Sequence, residues 1–351
     1  MMLAIENSVN DCLSVLEPHI AETLIPAKRF GDIRRCVGEL PTALMTEFGF
    51  ECRLSPGDHP SDFQFSVSAG SDGHAMLADG HPDISGSETG RCCSGWEQVR
   101  RFASAWSHMD PEQVPCIILG MDCDAPDGRN RGLLFHLRTE KRTADEIQEL
   151  LPIATGHLLP KRMRQNLQRC LSHALPTFVG FMFGRSTDAL RLTQRLTISE
   201  TLPYLDSISW TGNRRQVARL LEIISGWTTH IALSLNVGAV VEPYLGLELL
   251  NWTKPAAPHS VWQNCLQTLT GRGLCTPEKH DALLHWRGIS RLEHSPSSAA
   301  FADGDQRDPD MLHLHVRNLS HLKLICRPHS GLEAKVYLNV RRAVRRWSSL
   351  R

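Results

Sequence analysis

The sequence contains few tyrosines, few lysines and no excess charge of either sign. Only three of its 351 residues are Tyr, and seven of its 38 basic residues are Lys, which leaves 31 Arg. The basic residues are balanced by 38 acidic ones. General nucleic-acid-binding proteins normally carry a clear excess of Lys and Arg. The balance of basic and acidic residues therefore argues against this class of protein.

The sequence also has no long apolar run, no pair of cysteines with CxxC spacing and no pattern typical of a signal peptide. No uninterrupted apolar stretch approaches the roughly 20 residues that are needed to cross a bilayer. Residues 1–10 lack the basic cluster and the following apolar stretch of a signal peptide. The 11 cysteines are scattered and form no CxxC pair, which favours free thiols over disulfides or a structural zinc site. Together these absences predict a cytoplasmic protein with neither a membrane nor a nucleic acid as its partner.

A hairpin pattern recurs five times along the chain. Each unit consists of two short segments with alternating apolar and polar residues, joined by a turn that contains Gly, Pro, Asp or Ser, and this pattern is typical of β-hairpins. The predicted strand pairs are residues 48–54 and 63–69, 116–123 and 133–139, 177–183 and 190–198, 230–237 and 244–250, and 321–326 and 334–340.

Between the hairpins the apolar residues recur at a spacing near 3.6, which predicts helices. The predicted helices are residues 8–17, 30–45 (interrupted near Pro41), 96–106, 143–151, 162–171, 213–225, 262–269 and 279–286. Residues 70–94 and 294–310, rich in Ser, Asp, Gly or Pro, are predicted to be irregular loops. The basic residues of 341–346 predict a C-terminal helix, and we expect residues 1–351 to form a single domain.

Each predicted strand has one apolar and one polar face. Strands of this kind bury the apolar face, here against the helices, and expose the polar face to water. The polar faces are exposed to solvent if the sheet is open. If ten antiparallel strands close into a barrel, the polar faces line its interior, and alternation alone does not distinguish the two arrangements. The charged residues of the polar face are Arg53, Arg138, Arg191, Arg195, Lys323 and Lys335 against Glu51, Asp122 and Glu248. This excess of basic residues favours an anionic ligand.

The order of five helix–strand–strand–helix units over roughly residues 30–345 resembles that of the ABBA-type aromatic prenyltransferases. Three short segments support the resemblance. Lys335-Val336-Tyr337 is similar to the Lys-x-Tyr strand with which the family binds diphosphate, and Arg191 to Arg195 is similar to its Arg-x-Lys-type strand. The segment Gly49 to Arg53 is similar to a first strand that carries an acidic residue. The resemblance implies an α+β fold: an antiparallel ten-stranded β-barrel built from five αββα-like repeats and surrounded by helices.

The resemblance also implies a function and a set of site residues. The enzyme would be a transferase that moves an isoprenoid from an allylic diphosphate to an aromatic or peptide side-chain acceptor inside the barrel. Glu51 would be catalytic, orienting the acceptor. Apart from the resemblance, Asp122 and Asp124 form an Asp-x-Asp pair that could hold Mg²⁺ bound to the diphosphate, while Asp124 also fits a plain turn role. The residues implied to bind the diphosphate are Arg53, Arg138, Arg191, Arg195, Lys323, Lys335 and Tyr337, and those implied to form the acceptor pocket are His136, His230 and Glu248.

The low tyrosine count keeps two alternatives open. Prenyl transfer passes through a carbocation that needs aromatic walls around it, and only Tyr337 and Tyr244 are placed to point inward. One alternative is a barrel that binds a peptide or an anionic metabolite without chemistry. The other is an enzyme of natural-product biosynthesis that modifies a peptide by another reaction.

Overall fold

A sheet of eleven strands forms the centre of the computed structural model, which describes residues 8–80, 94–123, 133–139, 142–183, 189–249, 259–291, 311–328 and 331–346. The strands are β1 (Glu47–Arg53), β2 (Asp62–Ser68), β3 (Cys116–Met121), β4 (Leu133–Arg138), β5 (Pro176–Phe183), β6 (Leu190–Thr197), β7 (His230–Val237), β8 (Val241–Leu249), β9 (Gly288–Arg291), β10 (Met311–Arg327) and β11 (Gly331–Arg346). All adjacent strands run antiparallel.

Ten of these strands close into a barrel. Their order around the ring is β11-β1-β2-β3-β4-β5-β6-β7-β8-β10, and β10 pairs with β11 to complete it. The short β9 pairs with the first part of β10, from Leu314 to Arg317, and stands outside the ring. The prediction of a closed ten-stranded barrel from five hairpins is therefore confirmed.

Ten α-helices lie in the described part of the chain, mostly in pairs that follow the hairpins. They are α1 (Val9–Leu16), α2 (Ala27–Val37), α3 (Asp72–Asp79), α4 (Ser94–Trp106), α5 (Ala144–Thr155), α6 (Lys161–His173), α7 (Ile198–Ser207), α8 (Arg214–Ile224), α9 (His259–Gly271) and α10 (Pro277–Trp286). No helix within these ranges combines the length and the apolar character that crossing a membrane requires.

Local sequence explains where several helices begin. Thr143 and Thr197 start α5 and α7 with capping boxes. In each box the threonine hydroxyl accepts from the backbone N–H three residues on, and the glutamate carboxylate at that position accepts from the backbone N–H of the threonine. Thr276 caps α10, and Pro277 occupies the first helical position, where its missing N–H is not needed. Thr197 is also the last residue of β6, so α7 follows this strand directly.

The hydrophobic core lies between the outer face of the barrel and the helices. Phe50 of β1 packs edge-on against Trp286 of α10, with ring centroids 6.4 Å apart. Phe135 of β4 packs in the same way against Phe102 of α4, with centroids 5.1 Å apart. Burial of the apolar strand face against helices leaves the polar face for the lumen.

Two sequence predictions are wrong. Residues 341–346 continue strand β11 instead of forming a helix, because Arg341 and Arg342 pair with Val316 and His315 of β10. Residues 70–94 are not wholly irregular, since they include helix α3. The predicted loop 294–310 lies outside the described residues.

The two ends of the barrel differ in their connections. The segments that join the two strands of each hairpin all lie at one end, which we call the hairpin end, whereas the helices connect successive hairpins at the other. On β1, Arg53 therefore lies at the hairpin end, Glu51 lies one inward-facing position deeper, and Glu47 lies toward the helix end.

Candidate functional site

The polar faces of the barrel strands enclose a lumen with a volume of about 1370 Å³. All but one of the site residues predicted from the sequence line it. These are Glu51, Arg53, Asp122, His136, Arg138, Arg191, Arg195, Glu248, Lys323, Lys335 and Tyr337. The strand alternation thus brings residues from seven strands and their ends to one cavity.

His230 is the exception among the predicted site residues. It is the first residue of β7 and pairs with Thr197 at the helix end of the barrel. One of its ring nitrogens lies 2.9 Å from the Thr229 hydroxyl, and the residue is not part of the lumen wall. An acceptor pocket in this lumen would therefore be formed by His136 and Glu248 without His230.

Glu51 joins two residues of the neighbouring strand β11. Lys335 Nζ donates to its Oε1, and the Tyr337 hydroxyl donates to its Oε2. Burial alone would raise the pKa of Glu51, but the charge of Lys335 and both hydrogen bonds outweigh it, so the pKa lies below its ordinary value. The same pairing raises the pKa of Lys335 in spite of its burial. Glu51 is thus a fixed carboxylate.

Glu248 on β8 forms a second buried ion pair. Lys323 Nζ and Ser234 Oγ each lie 2.9 Å from its Oε1. Burial raises the pKa of Glu248, yet the charges of Lys323 and His321 and the two hydrogen bonds lower it to about 2 overall. Each of the two lumen lysines therefore has a glutamate partner.

His321 and Tyr337 connect the two ion pairs. Their rings stack with centroids 4.0 Å apart and an angle of 12° between the planes. Tyr337 contacts Glu51, and His321 Nε2 lies 3.9 Å from Glu248 Oε2. Lys335, Glu51, Tyr337, His321, Glu248 and Lys323 thus form one continuous buried network, which we call the carboxylate network. His321 has no role among the sequence predictions, although its place on the polar face was a usable indication.

Two glycines leave room for lumen side chains. A Cβ on Gly246 of β8 would lie 2.4 Å from Lys323 Cε, and a Cβ on Gly180 of β5 would lie 2.9 Å from the His136 ring. Glycine at these inward positions lets the longer side chains lie flat across the neighbouring strand. Each glycine is therefore part of the site, although it carries no functional group.

The Gly246→Ala variant should lose about 2 kcal/mol of stability, because the methyl group displaces Lys323 from Glu248 and weakens charged hydrogen bonds. Urea unfolding measures this loss. Gly271→Ala is the matched control, since a Cβ at the end of α9 meets nothing within 4 Å. Equal stability of the two variants would contradict the role of Gly246.

The charge of the lumen differs from the sequence prediction. Among the described residues, seven Lys and Arg side chains line it against six Asp and Glu side chains, not six against three. The sequence interpretation missed Glu47, Asp62 and Glu242 on the acidic side and Arg327 on the basic side. The lumen as a whole is close to neutral, so its total charge does not favour an anion.

The distribution of these charges favours one wall of the lumen. Arg138, Arg191 and Arg195 lie on β4 and β6, and neither these strands nor β5 and β7 contain any Asp or Glu. The carboxylates of the lumen lie on β1, β2, β8 and the end of β3. We call the three arginines the basic wall. In a ring of ten strands, β6 stands opposite β1, so the basic wall faces Glu51 across the lumen.

The remaining basic residues pair with carboxylates. Arg53 Nε lies 3.2 Å from Glu333 Oε1, and Arg327 lies 3.4 Å from its Oε2. By contrast, Arg191 donates to the neutral Asn236 Oδ1 at 3.1 Å and, within the described residues, pairs with no carboxylate. Arg53, Lys323, Lys335 and Tyr337 are four of the seven residues predicted to bind diphosphate, and each of them contacts a glutamate.

The described residues contain no cluster of metal ligands. Asp122 lines the lumen at the end of β3, but no group of three or more His, Cys, Asp or Glu side chains in the described ranges is arranged as a metal site. Asp124, which the sequence places beside it, lies outside the described residues. We therefore derive no step that uses Mg²⁺.

Stability should fall as the pH is lowered from about 6.5 to 4.5. Burial, together with the charge of Lys323, lowers the pKa of His321 from 6.5 to about 4, although Glu248 and Glu51 oppose this. In that interval the unfolded chain binds a proton that the folded one does not, so His321 alone should remove about 2 kcal/mol. Urea unfolding of the wild type and of His321→Gln across this range measures the difference. Parallel pH curves for the two proteins would contradict the assignment.

Several solved structures share this architecture. The structure of 5-dimethylallyltryptophan synthase from Streptomyces coelicolor matches with a TM-score of 0.51 at 12% identity, covering 94% of this chain and 95% of that chain. The apo form of the prenyltransferase PriB matches with a TM-score of 0.55 at 13% identity, covering 94% of both chains. The 6-dimethylallyltryptophan synthase of Micromonospora olivasterospora, in complex with DMASPP and Trp, matches with a TM-score of 0.53 at 10% identity, covering 96% and 97%.

These similarities extend over almost the whole chain and establish the class of fold. The chain has the ABBA-type barrel fold that the hairpin repeat predicted. No protein-family model and no curated protein sequence matches the chain. At 10–13% identity the likeness concerns the fold alone, and the activity has to be inferred from the lumen.

Proposed function

We propose that the protein is a prenyltransferase that moves an isoprenoid from an allylic diphosphate to an aromatic acceptor within the lumen. The observation that supports this most strongly is the position of the basic wall opposite Glu51 inside an ABBA-type barrel. The structural neighbours include synthases named for dimethylallyltryptophan, one of them in complex with DMASPP and Trp. The barrel encloses such a site, but a shared fold does not establish a function. The proposal therefore rests on the residues that line the lumen.

The basic wall would bind the diphosphate. When the carbon–oxygen bond of an allylic diphosphate breaks, negative charge accumulates on the leaving oxygens, and fixed cations next to them lower the barrier. Arg138, Arg191 and Arg195 supply planar guanidinium groups that can contact phosphate oxygens in pairs. Lys323 and Lys335 are less suited to this role, because each is held by a glutamate. Arg53 is likewise held by Glu333.

Glu51 would orient the acceptor on the opposite side. A carboxylate that stays ionised in a buried place can accept a hydrogen bond from a ring N–H and stabilise positive charge that develops on the ring. Lys335 and Tyr337 fix its position, so its orientation does not change when the acceptor enters. His136 and Glu248 would contribute to the acceptor pocket from β4 and β8.

Few aromatic side chains would surround the carbocation. Tyr337 and His321 form one stacked surface in the lumen, and Phe178 and Met182 of β5 line it next to the basic wall. Tyr244 is already covered by Arg327, whose guanidinium lies 5.1 Å from the ring centre. This shortage of electron-rich walls favours the second candidate, a barrel that binds a peptide or an anionic metabolite without prenyl transfer.

Incubation with dimethylallyl, geranyl and farnesyl diphosphates separates the two functions. Each diphosphate is offered with tryptophan and tyrosine, and with peptides containing Trp, Tyr or Arg, in the presence of Mg²⁺ or of a chelator. Mass spectrometry should detect the acceptor enlarged by one isoprenoid unit, with inorganic diphosphate as the second product. Binding of diphosphate by calorimetry without any product would support the binding barrel. Absence of both binding and product would contradict prenyl transfer and the binding of diphosphate by the basic wall.

A further inference from the structure

His321 occupies a position in the lumen that the proposed chemistry does not yet use. Its ring stacks on Tyr337, and about 10% of its side chain is exposed, within the wall of the lumen. The Ser320 hydroxyl lies 3.0 Å from its Nδ1, and Glu248 Oε2 lies 3.9 Å from its Nε2. Both ring nitrogens thus have defined polar neighbours.

The two glutamates of the carboxylate network are poorly placed to take up a proton. Both oxygens of Glu51 already accept hydrogen bonds, from Lys335 and from Tyr337. Glu248 Oε1 accepts from Lys323 and Ser234, and these contacts keep both carboxylates ionised and weakly basic. His321 differs from them because burial, with Lys323 nearby, lowers its pKa to about 4 and holds it neutral at physiological pH. A neutral imidazole has one nitrogen lone pair available.

We propose that His321 is the group that removes the proton from the prenylated acceptor, and that Glu248 is a positioning residue that stabilises the imidazolium formed. This inference rests on the proposed prenyl transfer and assigns a catalytic residue to the same lumen. With Nδ1–H donated to Ser320 Oγ, the lone pair of Nε2 is free to accept a proton. The charge formed on the ring then lies beside Glu248 Oε2, the oxygen that neither Lys323 nor Ser234 contacts.

The step balances without a further reactant. The bond between the allylic carbon and the diphosphate oxygen breaks, and the diphosphate leaves with the electron pair. A ring carbon of the acceptor supplies the electron pair of the new carbon–carbon bond and becomes tetrahedral, while the positive charge spreads over the rest of the ring. His321 Nε2 then takes the proton from that ring carbon, the C–H electrons restore aromaticity, and water later removes the proton from the imidazolium.

The test compares the wild type with His321→Gln, using dimethylallyl diphosphate and tryptophan carrying either hydrogen or deuterium on the indole ring. We expect kcat to fall about 100-fold in the variant, since a general base contributes at least that factor, while KM for the diphosphate stays nearly unchanged. The isotope effect on kcat should rise clearly above that of the wild type, because proton removal becomes rate-limiting. A purely structural role of His321 would leave the isotope effect unchanged.

Two further variants distinguish the loss of a catalytic base from a folding defect. His321→Ala should regain part of its rate with added imidazole, and His173→Gln, an exposed histidine at the end of α6, should behave like the wild type. Unchanged kcat in His321→Gln, or a loss without a change in isotope effect and without imidazole rescue, would overturn the role of His321 alone. A wild type that prenylates no acceptor would instead overturn prenyl transfer, and with it this role.

Discussion

Replacing Glu51 with alanine should lower the free energy of unfolding by about 3–5 kcal/mol, because it leaves a buried charge without its partner. Lys335 is 89% buried at its side chain and donates to Glu51, as does the Tyr337 hydroxyl. Without the carboxylate, burial lowers the pKa of Lys335 and favours its neutral form. The defect should therefore be largest at neutral pH and become smaller as the pH rises through the alkaline range. Urea unfolding at several pH values measures both effects.

A double variant distinguishes the loss of a partner from a general defect in packing. Glu51→Leu combined with Lys335→Met removes both charges and should be clearly more stable than Glu51→Ala, since apolar replacements of a buried ion pair are often neutral. Glu97→Ala serves as a control, because the Glu97 pair with Arg100 lies in solvent and should change little. If the double variant were less stable than Glu51→Ala, burial of an unpaired Lys335 would not be the cause.

Removing two arginines of the basic wall should weaken diphosphate binding about 100-fold or more, at 1.5–3 kcal/mol for each charged hydrogen bond. The double variant is Arg191→Gln with Arg195→Gln, measured by isothermal calorimetry with inorganic diphosphate. Glutamine keeps much of the side-chain volume, so the change acts mainly on charge. Both arginines line the lumen from β6, two inward-facing positions apart on the same strand.

The control for this experiment is Arg214→Gln, which removes an exposed arginine that pairs with Asp206 outside the lumen. Its affinity for diphosphate should equal that of the wild type. A second comparison uses Lys323→Met, because Lys323 is held by Glu248 and should contribute less than either arginine. Wild-type affinity in the double arginine variant, with a loss in Lys323→Met, would place the anion at the carboxylate network.

The sequence predicted the barrel well because one physical pattern repeats in every hairpin. Segments such as 63–69 alternate strictly, and alternation reports which side chains are buried whatever the distant partners are. It could not predict that Arg341 and Arg342 belong to a strand. Arginine and alanine favour helices, and the pairing with Val316 and His315 that overrides this preference comes from a distant segment.

The site was harder to predict than the fold. The alternation of side chains along each strand places Glu51, Lys335 and Tyr337 on the inner face. It does not predict that they touch, because their contact depends on the register between β1 and β11. The missed acids had a similar cause. Asp62 and Glu242 lie at strand ends near the hairpin turns. There the alternating pattern ends, and an acidic residue is equally typical of the turn itself.

The pairing of β1 with β11 joins Glu47 to Arg341, positions nearly 300 residues apart in the chain. Contacts between such distant segments form late and slowly in folding, because a long loop must close before they are made. Until β11 has left the ribosome, the growing chain can only be an open sheet whose two outer strands have unsatisfied backbone groups and invite aggregation. Glu51 meets Lys335 and Tyr337 across this same seam, so the carboxylate network is assembled by the final closure. An incomplete chain released early would lack this network and would be prone to aggregate.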